Sequence, residues 1–149
     1  MNGIRVCIDT NIFLNVLNKD TPSYRYSKAV LLAVENGGLE GIIPTLVISE
    51  VLTGFYMDKR DNDAGEFLSS ILTNENLKVV PLSLAIATSS AVIRANTELK
   101  LPDAMILATA IQSKADFLVS NNKGLPRVYQ SVRHVSSKEM SESLEKKDI

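Results

Sequence analysis

The feature that most constrains the fold is the alternation of short apolar runs with longer amphipathic segments. Each apolar run is three to five residues long, as expected of buried strands: Ile4–Ile8, Leu39–Ile43, Leu77–Val80 and Phe117–Val119. The segments between them carry apolar residues at helical spacing. Short strands that alternate with helices predict a parallel sheet covered on both faces.

We therefore expect an α/β three-layer sandwich, with a central parallel sheet of four to five strands flanked by helices. A chain of 149 residues with 45% apolar residues supports one core, so we expect a single domain over residues 1–149.

The pattern of strands and helices is weakest at the end of the chain. Val128 to Val135 predicts one last short strand, and Lys138–Lys147 a terminal helix. We expect residues 138–149 to fray, because Leu144 is almost the only apolar contact there.

Composition restricts the chemistry that the chain can perform. The single cysteine, Cys7, excludes a disulfide framework and is predicted to be a buried hydrophobe. One Cys and one His exclude an ordinary structural zinc site. Acid–base or metal chemistry must therefore rest mainly on carboxylates. The net charge of -1 gives no global basic field, so a nucleic-acid partner requires a local basic patch.

No segment of the sequence resembles a signal peptide or a membrane span. The run that follows Met1 is broken by Asp9 and Asn11, and no stretch approaches the ~20 apolar residues that a bilayer requires. We expect a cytoplasmic protein that does not contact a membrane.

Polar residues follow two of the predicted strands. Asp9-Thr10-Asn11 comes after the first strand and Ser120-Asn121-Asn122 after the fourth. Parallel strands point the same way, so both sets belong to one edge of the sheet, where ligands of such folds bind.

Two further acids are expected near that edge. Glu50 projects between Leu46 and Val47 at ~100° per residue, so we expect it to be partly buried. Asp103 begins a helix that carries no charged residue from Ala104 to Ile111. We therefore expect this helix to be deeply buried.

Each acid also has a simple structural explanation. Asp9 can cap the next helix, Asp103 gains roughly 0.3–1 kcal/mol from a helix dipole, and Glu50 can pair with a basic residue. Three acids at one edge would repel each other and raise their pKa values unless metal ions neutralise them. Clusters of oxygen ligands suit Mg²⁺ or Mn²⁺.

Four segments resemble the motifs of PIN-domain ribonucleases and occur in the family's order. They are Val6-Cys7-Ile8-Asp9-Thr10-Asn11-Ile12-Phe13-Leu14, Ile48-Ser49-Glu50-Val51-Leu52-Thr53-Gly54, Leu101-Pro102-Asp103-Ala104-Met105-Ile106-Leu107-Ala108-Thr109-Ala110 and Ala115-Asp116-Phe117-Leu118-Val119-Ser120-Asn121-Asn122-Lys123. The length is similar to that of single-domain, VapC-like toxins of toxin–antitoxin pairs.

The resemblance implies a metal-dependent endoribonuclease. Asp9, Glu50 and Asp103 would hold one or two Mg²⁺ or Mn²⁺ ions, which activate water for attack on a phosphodiester bond. Thr10, Asn11 and Ser120 would support these carboxylates, although Asn11 also suits a helix cap. The resemblance further implies an RNA substrate, an antitoxin partner and a homodimer.

Asn122 departs from the family pattern, which usually has a fourth catalytic aspartate at this position. The asparagine supplies a neutral oxygen, so we expect a weaker second metal site or a single-metal enzyme. Asp116 cannot replace the missing acid, because it precedes its strand and lies at the opposite edge of the sheet.

A basic segment follows the fourth motif. Lys123, Arg127 and Arg133 would help a polyanion approach the acidic centre, or they are simply solvated surface. His134 is expected to be a surface residue rather than a general base.

Seven apolar residues of the N-terminal half are expected either to form contacts in a dimer or to belong to the core: Ile12, Phe13, Tyr24, Tyr26, Leu52, Phe55 and Tyr56.

Other functions remain open at this point. An aspartyl-phosphate phosphatase would carry a second acid two residues after Asp9, where this chain has Asn11. A receiver-type switch would need an acidic pair near the end of the first strand, where the chain has Cys7 and Ile8. A non-catalytic PIN-like binding module is compatible with Asn122.

Overall fold

The structure is a computed structural model that describes residues 3–146. A mostly parallel sheet is flanked by helices, as the sequence pattern predicts. The strands are β1 (Arg5–Ile8), β2 (Glu40–Pro44), β3 (Leu77–Val80), β4 (Phe117–Val119), β5 (Val128–Tyr129) and β6 (Val132–Val135). The helices are α1 (Thr10–Leu17), α2 (Ser23–Glu35), α3 (Thr45–Met57), α4 (Asp61–Thr73), α5 (Leu84–Asn96), α6 (Leu101–Gln112) and α7 (Ser137–Lys146).

Local sequence explains where several helices begin. Asp9 occupies the N-cap position of α1 with an extended backbone. The Ser83 hydroxyl accepts a hydrogen bond from the Ile86 amide and so caps α5. Pro102 lies in the first turn of α6, where its missing amide costs nothing. The rest of α6 is buried from Ala104 to Ala110 except at Met105, as its uncharged sequence predicts.

The strand order brings the two polar sequence segments together. Across the sheet the order is β3-β2-β1-β4-β6-β5. The chain moves outward from β1 through β2 to β3, and then returns to place β4 on the other side of β1. Reversal of the strand order between β1 and β4 opens a crevice at their carboxyl ends, which is where open α/β sheets bind ligands.

Within residues 3–146 the sheet has six strands, whereas four to five were predicted. The predicted last strand from Val128 to Val135 is in fact a hairpin, in which β5 runs antiparallel to β6. Gln130 in its turn has a φ of 52°, in the left-handed region. Hydropathy alone gave no sign of this break, because apolar residues lie on both sides of the turn.

The terminal helix is better anchored than its sequence suggested. Met140 is 1% exposed and belongs to the core, whereas Leu144 is only half-buried, so the expectation that Leu144 is almost the only apolar contact was wrong. Helix α7 packs against α2. The predicted fraying of residues 147–149 lies outside the described residues.

The first turn of α4 carries two acids. Helix α4 begins at Asp61, and the negative charges of Asp61 and Asp63 favour a helix N-terminus.

Cys7 lies fully buried in β1, as predicted. Burial raises the pKa of its thiol well above the ordinary value, which makes the thiol unreactive. Between residues 3 and 146, none of the helices is both long and apolar enough to span a bilayer.

Replacement of Met140 by Ala should show that α7 belongs to the folded core. We expect the free energy of unfolding to fall by about 2–5 kcal/mol, because the variant leaves a cavity at a closed site. Leu144→Ala is the matched control on the same helix and should cost clearly less. Urea denaturation measures both, and equal effects would contradict this packing.

Candidate functional site

The carboxyl ends of β1 and β4 bring Asp9 beside Ser120. Ile8 pairs with Val119 in the parallel register, and the Asp9 amide donates a hydrogen bond to the Val119 carbonyl at 3.1 Å. The two polar segments therefore share one edge of the sheet, as their positions in the sequence predicted.

The Asp9 carboxylate is buried and held through both oxygens. Its Oδ1 accepts a hydrogen bond from the Thr10 amide at 2.7 Å. Its Oδ2 accepts one from the Ser120 hydroxyl at 2.6 Å and a longer one from Asn11 Nδ2 at 3.3 Å. Only 5% of Asp9 is exposed, so these bonds replace most of its hydration.

Ser120 and Asn11 use nearly all of their hydrogen-bonding capacity at this site. The Ser120 hydroxyl donates to Asp9 and accepts from the Asn122 amide at 3.1 Å and from Asn11 Nδ2 at 3.2 Å. Asn11 Oδ1 accepts from the Asn121 amide at 2.9 Å. Asn11 is thus committed to structure as a neutral amide, which disfavours the phosphatase chemistry that requires an acid at this position.

Glu50 reaches the site from α3. Its Oε1 accepts a hydrogen bond from the Thr10 hydroxyl at 2.7 Å, and the Thr10 amide bonds Asp9. Thr10 therefore connects the two acids. The expectation that Glu50 is partly buried was wrong, because the residue is exposed. It lies at the border of the apolar face of α3, and no element within residues 3–146 buries it.

Asp103 reaches the site from the first turn of α6 and is half-buried. Asn122 Nδ2 donates to its Oδ2 over a long 3.4 Å. Asn122 Oδ1 accepts from the Gly124 amide at 2.9 Å. The asparagine thus directs a hydrogen-bond donor toward Asp103 and uses its oxygen to shape the loop.

The electrostatics of the site penalise the charge on Asp9. Burial raises the pKa of Asp9 above its ordinary value, and the negative charges of Asp103 and Glu50 raise it further. Hydrogen bonds from Ser120 and Thr10 oppose this shift only in part. A cation placed among the three acids would relieve the repulsion.

The donor set has the chemistry that a hard divalent cation prefers. Glu50 Oε2 and Asp103 Oδ1 have no hydrogen-bond partner among residues 3–146 and are available as ligands. Over the same residues, however, no three His, Cys, Asp or Glu side chains are gathered tightly enough to enclose an ion. The acids surround the site without converging on one point.

The predicted basic residues separate into two locations. Lys123, Arg127 and His134 line a cavity of about 500 Å³ that also touches Ser120 and Asn122. Arg127 pairs with Glu139 at 2.7 Å, and this contact lowers the pKa of Glu139 to about 2. Arg133 instead lies opposite Phe117 in the register of β6 with β4, at the amino end of β4 and away from the carboxylates.

One prediction near the site was wrong, and the role of one neighbouring residue was missed. His134 was expected on the surface but is 7% exposed, because it occupies an inward position of β6. The role of Asn121 was missed: its side chain bonds the amide and the hydroxyl of Ser137, which ties the site to α7. Asp116 accepts a hydrogen bond from the Arg5 amide at the opposite edge of the sheet, as predicted.

A family model of the PIN domain matches residues 6–130, which is most of the chain and includes all four motif segments quoted in the sequence analysis. The chain belongs to the PIN-domain family. The PIN-domain family is a family of nucleases. None of the curated proteins is significantly similar to this PIN domain.

Solved structures support the same assignment. A toxin–antitoxin complex from Klebsiella pneumoniae has 26% identity and a TM-score of 0.64, covering 85% of this chain and 94% of that chain. VapBC2 from Rickettsia felis, bound to a DNA fragment from its promoter, has 22% identity and a TM-score of 0.68, with 89% and 98% covered. VapC20 of Mycobacterium tuberculosis, a toxin that cleaves the sarcin-ricin loop, has 12% identity and a TM-score of 0.67, with 86% and 98% covered.

The burial of Asp9 predicts a pH-dependent effect of Asp9→Asn on the stability of the metal-free protein. Because the pKa of Asp9 is raised in the folded state, its ionisation costs folding free energy as the pH rises above 3.8, the ordinary value. The variant escapes this cost. The free energy of unfolding of the variant relative to wild type should therefore rise between pH 4 and pH 7. Urea denaturation in a chelator across this range tests the prediction, and a pH-independent difference would refute it.

Proposed function

We propose that this PIN domain is a Mg²⁺- or Mn²⁺-dependent endoribonuclease and the toxin of a type II toxin–antitoxin pair. The observation that carries the proposal is the buried Asp9, linked through Thr10 to Glu50 and neighboured by Asp103 at the crevice of the sheet. When bound, a divalent cation would activate water and neutralise the charge that develops on the phosphate.

The residues of the chain divide the work at this site. Asp9, Glu50 and Asp103 would hold the cation, and the exposed Glu50 would adjust its position as the ion enters. Thr10, Asn11 and Ser120 orient the Asp9 carboxylate through their hydrogen bonds. Asn122 donates toward Asp103 and adds no negative charge.

RNA would approach along the cavity that adjoins the carboxylates. Lys123 is exposed there, and Arg127 contributes a cation whose charge is partly neutralised by Glu139. A basic margin lets a polyanion approach an acidic centre. Arg133 stands too far toward the amino end of the sheet to join this path, so we assign substrate contact to Lys123 and Arg127.

The proposed antitoxin partner has a suitable surface. A groove of about 550 Å³ lies among α1, α2, α4 and β3, and apolar side chains form much of its lining, including Leu17, Leu31 and Leu77. Glu35 and Glu75 line it as well. An amphipathic segment that carries basic residues would complement this surface. The similarity to a Klebsiella toxin–antitoxin complex supports such a partner.

The homodimer also remains a proposal. Ile12, Phe13 and Phe55 are core residues, which removes them as interface candidates. Tyr56 is 54% exposed, and Met57 and Leu84 are more exposed still. These exposed apolar side chains are the best candidates for a contact between two copies.

Ribonuclease activity should depend on Asp9. In an assay with Mg²⁺ or Mn²⁺, Asp9→Asn should lower kcat by at least about 10²-fold, because it removes one of the charges that hold the cation. Asp116→Asn is the matched control at the opposite edge of the sheet and should remain close to wild type. Full activity in Asp9→Asn would refute the proposed site, whereas inactive wild-type protein would favour a PIN-like binding module.

Calorimetric titration with Mn²⁺ should detect one tight site in the wild-type protein. The Asn122 oxygen bonds Gly124 and supplies no charge for a second ion. Asn122→Asp should strengthen a second binding event, since it restores a carboxylate beside Asp103. Two tight sites in the wild type would contradict this interpretation.

A further inference from the structure

His134 makes a contact with the site that the nuclease chemistry does not explain. The residue lies on β6, beyond residue 130 where the family match ends. Its Nε2 is 2.8 Å from the Ser120 carbonyl oxygen. A carbonyl oxygen only accepts hydrogen bonds, so Nε2 must carry the proton. Nδ1 is buried and has no partner within residues 3–146, which agrees with this tautomer, since a proton there would be an unsatisfied buried donor.

The Ser120 carbonyl is the first one beyond the end of β4. The Ser120 amide still bonds the Val135 carbonyl at 3.0 Å, but no backbone donor within the described chain reaches the Ser120 oxygen. The side chain of His134 takes the place of that donor. Strand β6 therefore holds Ser120 at both its amide and its carbonyl.

The peptide between Ser120 and Asn121 transmits this contact toward Asp9. The peptide unit is planar, so the direction of its carbonyl fixes the opposite direction of its amide. The Asn121 amide of this unit bonds Asn11 Oδ1, and Asn11 Nδ2 bonds both Asp9 and the Ser120 hydroxyl. A rotation of this peptide would break the bond to Asn11 and release the side chain whose Nδ2 bonds Asp9 and the Ser120 hydroxyl.

We propose that His134 is a positioning residue of the carboxylate site, which fixes the plane of the Ser120–Asn121 peptide and thereby the orientation of Asp9. This inference rests on the proposed nuclease function only for its kinetic test. A residue that merely fills space between β4 and β6 would not need a donor at Nε2.

The kinetic test uses three variants that differ in where they place a hydrogen-bond donor. Glutamine can place an amide near the position of Nε2, asparagine is too short to do so, and leucine has no donor. We expect His134→Gln to retain kcat within about threefold of wild type. His134→Asn and His134→Leu should lose about 10–100-fold in kcat with little change in KM for RNA. Equal kcat values in His134→Gln and His134→Leu would overturn the proposal.

Two measurements do not depend on activity. Nitrogen-15 NMR of the wild-type protein should show the His134 proton on Nε2, and a proton on Nδ1 alone would overturn the proposal. Hydrogen exchange at the Asn121 amide should accelerate at least about tenfold in His134→Leu but not in His134→Gln, while exchange at Leu118 in β4 stays constant in both. If Leu118 accelerates equally, His134 supports the whole strand and the specific positioning role fails.

Comparison with Asp9→Asn separates the two hypotheses. Full activity in Asp9→Asn would refute the proposed nuclease site and would leave the NMR and exchange results as the test of His134. Loss of activity in Asp9→Asn, with wild-type kcat in His134→Leu, would refute only the positioning role.

Discussion

A buried carboxylate at the end of β1 is the constraint on which the rest of the structure depends. Removal of Asp9 from water is costly unless hydrogen bonds replace its hydration. The fold supplies them from two directions: Thr10 and Asn11 follow Asp9 into α1, and Ser120 follows β4. The strand order reverses between β1 and β4, which makes these two strands neighbours in the sheet. The topology therefore places Ser120 beside Asp9.

Hydrogen bonds hold the side chains of the site in place, whereas the negative charges of its acids repel one another. Its hydrogen bonds connect Asp9 to Glu50 through Thr10, and the asparagines at positions 11 and 122 add no further charge. The pKa of Asp9 nevertheless remains raised, first by burial and then by Asp103 and Glu50. A protein that keeps such an unfavourable charge distribution, with unpartnered oxygens on two of the acids, is well suited to bind a cation. The chain belongs to the PIN-domain family, whose nucleases generally use divalent metal ions.

Much of the fold and of the candidate site could be predicted from the sequence, because the informative polar residues follow directly after apolar strands. Periodicity placed Asp9 and Ser120 at one edge of the sheet and Asp116 at the other. It failed for Glu50, since helical spacing shows which face a residue occupies but not whether another element covers that face. It also failed for the β5–β6 hairpin, whose turn depends on the backbone angle of Gln130.

His134 shows both the reach and the limit of sequence reasoning. The alternation Val132-Arg133-His134 places the histidine on the apolar face of its strand, so its burial could have been inferred from the pattern. Its partner could not, because contact with the Ser120 carbonyl depends on the three-dimensional pairing of β4 with β6. The same is true of Asn121 and Ser137, which are 16 positions apart.

The most direct test of the central claim is anomalous diffraction from crystals soaked in Mn²⁺. The account predicts a strong peak within about 2.5 Å of carboxylate oxygens from Asp9 and Asp103, with Glu50 on the same side of the ion directly or through water. A saturating soak that leaves this position empty, or that places manganese only at other acids, would contradict it.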